Sequence, residues 1–246
     1  MPRGGNAISS TIGNVANVGA GVQFVVSNTD NTNGASSAHV LIQSGGSSGG
    51  DPYCIYTVTS ATDWSHGIDN SDSDAWLLSK NNVLGTNNVM RSSTAGEVTF
   101  PLTPAFLATH SVAQDNATGA GAAATVNFTT EIFDQNSDYD GTNTFTAPIT
   151  GRYRLSSNVY AIQITALMTQ GNVTLVTSNR NYFGSVFNPA TVMQAGTDVS
   201  WSVNTLADMD AADTATVVLT IGNGAGNTAD IAAGVTLTYF SGNLEC

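Results

Sequence analysis

The chain has 246 residues, 18 acidic against 6 basic side chains and a formal net charge of -12. So acidic a balance excludes nucleic-acid binding, because phosphate contacts need clusters of Lys and Arg, and it equally disfavours an anionic membrane surface. Charge is sparse overall, at 10% of residues, and Gly, Ala, Asn, Ser and Thr dominate, a composition of extended β structural and adhesive proteins rather than of cytosolic enzymes.

In chain order, Met1-Pro2-Arg3-Gly4-Gly5-Asn6 has no apolar signal-peptide core, so conventional secretion is not expected. Nowhere does an apolar run reach the roughly 20 residues of a transmembrane helix, which predicts no membrane insertion. Residues 22–26 and 40–43 read as short strands. They are separated by the turn-rich stretch 27–34 and followed by the Gly/Ser stretch 44–51, where Gly and Asn accept positive φ. Further strands are expected at 53–59, with Tyr53, Ile55 and Thr57 on one face, at 75–79 and at 97–100. With no sustained helical period and elements of about four to seven residues, the whole chain is predicted to be all-β.

The strongest cluster of oxygen donors here is Asp69, Asn70, Asp72 and Asp74, spaced like the first half of a calcium loop. The downstream Gly is missing and Lys80 stands where such a loop needs its bidentate Glu, so an Asx-rich turn leading into the Trp76 strand is the preferred reading. A weak calcium site at Asp69, Asp72 and Asp74 is the alternative, and no other cofactor is expected. His39, His66 and His110 are scattered, with no spacing of a metal pair or of a Ser-His-Asp triad. Cys54 and Cys246 are expected as free thiols. The Gly-rich run 222–227 lacks the Lys-Ser/Thr of a phosphate loop and reads as a hairpin tip.

In the C-terminal half, Phe145, Ala147 and Ile149 alternate with Thr144, Thr146 and Thr150, the period of a strand with one buried face. Pro148 belongs at a strand end, Gly151 is expected to supply a turn, and Tyr153, Leu155, Asn158 and Tyr160 start the next strand. Residues 179–189 read as a loop carrying Tyr182, Phe183 and Phe187. Their rings are expected mainly in the core or an interface, with Tyr182 the exposed member. Asp208, Asp210 and Asp213 lie between expected strands at 199–203 and 216–221. The closing segment 235–240 sets Val235, Leu237 and Tyr239 against Thr236, Thr238 and Phe240. Aromatics on both faces mark it as central or interfacial, and Phe145, Tyr153, Tyr239 and Phe240 are the expected core or subunit-interface residues.

Two segments carry a resemblance. Phe145-Thr146-Ala147-Pro148-Ile149-Thr150-Gly151-Arg152-Tyr153-Arg154-Leu155, the terminal Leu237-Thr238-Tyr239-Phe240-Ser241-Gly242 and the opening Ala105-Phe106-Leu107-Ala108 resemble the globular heads of the complement one-q and tumour necrosis factor superfamily, over roughly residues 104–246. That resemblance implies a trimeric jelly-roll head without enzymatic activity, here at 102–246, preceded by a smaller β-rich module at 1–101. Gly67-Ile68-Asp69-Asn70-Ser71-Asp72-Ser73-Asp74, with Leu84-Gly85-Thr86, resembles a segment of phage tail-fibre and other virion proteins.

Together they imply a structural fibre, spike or decoration protein of a tailed phage, exposed on the particle and anchored to capsid or tail proteins by its N-terminal module. The head's distal loops would then touch a host-surface glycan, with Tyr182, Phe183, Asp208, Asp210 and Asp213 as candidate contacts. A cellular adhesin or carbohydrate-binding lectin on the same head is the alternative, and a depolymerase spike a third class.

Overall fold

Short runs of β-branched and aromatic residues punctuated by Gly, Asn and Ser become short strands. The computed structural model describes residues 26–32, 34, 36–194 and 197–246. Five strands come first: β1 (Tyr53–Thr57), β2 (Asp63–Asp69), β3 (Ala75–Ser79), β4 (Asn88–Ser92) and β5 (Val98–Thr99). They form one antiparallel sheet in chain order. One of its faces buries Ser65, Asp69, Ala75, Leu77 and Ser79, with Leu84 packed beside Ala75 and Leu77. The register places Cys54, Tyr56, Trp64, His66, Ile68, Trp76, Leu78 and Met90 on the opposite face.

Twelve strands follow: β6 (Ala105–Thr109), β7 (Gln114–Thr118), β8 (Ala123–Thr125), β9 (Thr130–Asp134), β10 (Phe145–Thr146), β11 (Gly151–Ile162), β12 (Gln170–Thr177), β13 (Asn181–Phe187), β14 (Val199–Met209), β15 (Thr214–Gly222), β16 (Ala229–Ile231) and β17 (Tyr239–Leu244). Short β7, β8, β9 and β16 flank eight principal strands, which pair in the orders β6-β17-β11-β14 and β10-β15-β12-β13. Counted one to eight along the chain, these orders are 1-8-3-6 and 2-7-4-5, the strand order of a jelly roll. The only helix among the described residues is the single turn α1 (Pro189–Val192), capped by the Asn188 side chain, which accepts from the Ala190 N–H at 3.1 Å. The protein is therefore all-β with a jelly-roll sandwich in its C-terminal part, as expected.

The head's core is aromatic at one end. Phe106 stacks on Tyr139 at 5.2 Å and on Phe145 at 4.9 Å, and meets Phe240 edge-on at 4.9 Å. Further along, Trp201 stacks on Phe187 at 5.1 Å, and the Cβ of any larger residue at Gly171 would lie 2.8 Å from the indole. Phe145, Tyr153 and Phe240 are buried, whereas Tyr239 lies half-buried on the outer face of its sheet.

Several expected boundaries are corrected. Residues 40–43 form no strand; Val40, Leu41 and Ile42 are exposed on unpaired backbone. The strand expected at 22–26 lies, apart from Val26, outside the described residues. The closing strand starts at Tyr239 rather than Val235, because the Leu237 and Thr238 amides donate to Gly234 O and fold 234–238 into a turn. Ile149 is exposed, since pairing ends at Thr146. Gly151 supplies no turn. It opens β11, where a Cβ would meet Leu244 Cδ1 at 2.6 Å and Cys246 O at 2.8 Å.

Candidate functional site

At one end of the sandwich the β12–β13 hairpin is closed by Thr177, whose amide and hydroxyl both donate to Arg180 O, at 3.0 and 2.8 Å. The β14–β15 turn is closed by Asp213, whose amide donates to Asp210 O and whose carboxylate accepts from the Asp210 amide at 2.8 Å. These two turns set side chains against one another. Arg180 Nη2 donates to Asp208 Oδ2 at 2.6 Å and the Tyr182 hydroxyl donates to Asp208 Oδ1 at 3.1 Å. Asn179 Nδ2 donates to Asp213 Oδ2 at 2.8 Å. Burial, then the hydrogen-bonded Asp208 carboxylate, pushes the Tyr182 phenol above its usual range. The Asp210 carboxylate receives a long 3.4 Å bond from Thr150 Oγ1.

Tyr182, Asp208 and Asp213 are thus brought together, joined by Arg180 and Asn179, which sequence reasoning had not singled out. Arg180 could have been noticed as one of only six basic residues beside an acidic cluster. Two expectations change. Residues 181–187 are a strand, not a loop, so neighbouring rings point to opposite sides. Tyr182 is half-buried against the core, and Phe183 is the exposed ring at 69%.

The patch is also not distal. Ala105 pairs with Asn243, and the Leu244 amide donates to Pro104 O at 3.0 Å, so these turns share the end at which the chain arrives from β5. The opposite end is built from 163–169, 188–194, 197–198 and 223–228. There Gln163, Thr165, Thr197, Asn227 and Thr228 line an open cleft of about 430 Å³. Asp230 is buried close by; its carboxylate accepts from the Asn116 amide at 2.7 Å and from the Gln163 side-chain amide. Thr165 Oγ1 is buried without a hydrogen-bond partner among the described residues.

In the first sheet, the acidic cluster serves the backbone. Asp69 Oδ1 accepts from the Ser71 amide and hydroxyl, at 2.9 and 2.6 Å, and from the Asp72 amide at 3.1 Å, the bonds of an Asx turn. Asp72 is held by a two-pronged Arg91 guanidinium at 2.6 and 2.8 Å, whose hydrogen bonds lower its carboxyl below the usual range. Asp74 is exposed, and among the described residues no group of three or more His, Cys, Asp or Glu is placed to hold a metal. His110 is buried between the carbonyls of Asn127 and Ile231, His66 stacks on Tyr56 and lies tilted against Trp76, and Cys54 and Cys246 are free.

No protein-family profile and no curated protein sequence matches the chain. Solved structures similar in backbone include the globular domain of zebrafish complement 1qA protein, at TM-score 0.41 and 16% identity over 58% of this chain and 98% of that one. Murine APRIL at pH 8.5 is similar at TM-score 0.41 and 11% identity, again over 58% and 98%. The jelly roll itself is read from the strand order above, not from these scores.

Proposed function

We propose that the chain is the protomer of a homotrimeric, non-enzymatic structural head protein carried on a tailed-phage particle. The observation that supports it best is the outer face of the β6-β17-β11-β14 sheet. Thr109, Tyr239, Asn158 and Ser202 make one row across four strands, and Leu107, Ser241, Ser156 and Asn204 make the next. Neither row carries a charge. Arg152, Arg154 and Asp208 lie on the same strands but toward the Pro104 end. Copies of a chain with net charge -12 must meet where Asp and Glu are absent, and a flat hydroxyl- and amide-bearing sheet with a half-buried Tyr satisfies that requirement.

Threefold symmetry follows from the resemblance of 104–246 to complement one-q and tumour necrosis factor heads, and the virion from that of Gly67 to Asp74. In this reading residues 1–101 join capsid or tail proteins. A host-surface glycan would meet the amides and hydroxyls of the far-end cleft, because the Tyr182, Phe183, Asp208, Asp210 and Asp213 group shares its end with the connecting peptide. Light scattering of the purified chain should give three times 25.3 kDa, and peptides of the chain should appear in the proteome of purified particles. A stable monomer at micromolar concentration rejects the trimer; absence from the particle rejects the virion role.

A further inference from the structure

The sheet β1–β5 buries too little on its covered face. Among the described residues its apolar core there is Ala75, Leu77 and Leu84, with Tyr53 partly beneath, and the remaining buried positions of these strands are Ser65, Gly67, Ser79 and Asp69. A sheet gains stability by burying an apolar face against a second layer, and a module of this size is marginal even with a full core. The large apolar side chains sit on the other face. Tyr56 pairs with Trp64, His66 with Leu78 and Ile68 with Trp76, and the His66 ring lies between Tyr56 at 5.5 Å and Trp76 at 5.9 Å. Tyr56 is 58% exposed, Ile68 40% and Trp76 39%, so two of the chain's three tryptophans stand on a face that no second layer covers among the described residues. Beside Ile68 lies Ile42, whose neighbours Val40 and Leu41 are exposed as well. Contiguous apolar surface of this kind is rare on a protein that stays alone.

We propose that this face is an interface between copies of the chain, with Tyr56, Trp64, His66, Ile68, Trp76 and Leu78 of one copy packed against the same sheet of its neighbours. Two observations select a copy over another occupant. The six positions include no Asp, Glu, Lys or Arg, so copies that repel elsewhere through eighteen acids can meet here without burying a charge. The small covered core requires an occupant that is present whenever the sheet is folded, and another copy always is. The inference rests on the trimer proposed above, which already brings further copies of the chain together.

The full wild-type chain tests it without substitution. Trp201 is fully buried in the head, so only Trp64 and Trp76 can respond to acrylamide. Light scattering and acrylamide quenching on one sample should give a trimeric mass with all indole emission protected. A trimeric mass with most of the emission quenched overturns this interface and leaves the head trimer standing, whereas a monomer removes both. In a second arm, Tyr56 is replaced by p-benzoylphenylalanine and the protein irradiated. Covalent dimers and trimers are expected; cross-links confined to single chains would show that the chain's own residues cover the face, which also overturns the proposal.

Discussion

Asp140 illustrates how a surface carboxylate is held to one job. Burial alone would raise its pKa, but amide donors from Thr144, Asn143 and Thr142, at 3.0, 2.8 and 2.8 Å, outweigh that and leave it below the usual carboxylate range. Its folded value is lower than its unfolded value of about 3.9, so the stabilisation is fully present above that pH and is lost as pH falls through the folded value. Solvent screening at this exposed carboxylate reduces its worth, so Asp140→Ala should cost about 0.5 kcal/mol in urea unfolding at neutral pH, with the difference from wild type shrinking toward zero in strong acid. An equal loss at both pH values would contradict the assignment. The same chemistry was legible in the sequence at Asp69, because a carboxylate two residues before Ser71 reaches its amide locally. Arg91 was not, since its bond to Asp72 depends on where β4 falls beside β3.

At the scale of strands, period-two alternation disclosed β11, β14 and β15, each long and buried on one side. It failed where alternation and pairing part company. Val235 to Thr238 alternate well but turn, and β13 hides its period behind a register shift between Asn172 and Thr174 and the bare backbone of Gly184, where a Cβ would strike Ser202 O. The Phe240-Ser241-Gly242 motif has a steric reason: Gly242 faces inward, and a Cβ there would lie 2.6 Å from both Leu155 Cδ2 and Phe106 Cε1. Gly242→Ala should destabilise the head by about 1–3 kcal/mol through overpacking, read as a lower denaturation midpoint at unchanged slope. A neutral result would show that Phe106 and Leu155 give way freely.

For the whole molecule, the two cores differ in kind. The jelly roll buries a continuous aromatic and aliphatic cluster between two sheets, while among the described residues the β1–β5 sheet holds three buried apolar side chains. Around residue 102, Leu102 O accepts from Asn136 Nδ2 at 2.9 Å and Pro104 O from the Leu244 amide at 3.0 Å, so the connecting peptide is tied to the jelly roll. What the sequence could not disclose was the imbalance itself, since alternation marks both faces of β2 and β3 without saying which one is covered. We therefore propose that residues 102–246 fold alone. This fragment should show a cooperative melt within about 5 °C of the full chain's jelly-roll transition, whereas residues 1–101 alone should lack near-ultraviolet circular dichroism. A fragment 102–246 that stays unfolded would mean that the first sheet is part of the head's own stability, and the division into anchor and head would fall with it.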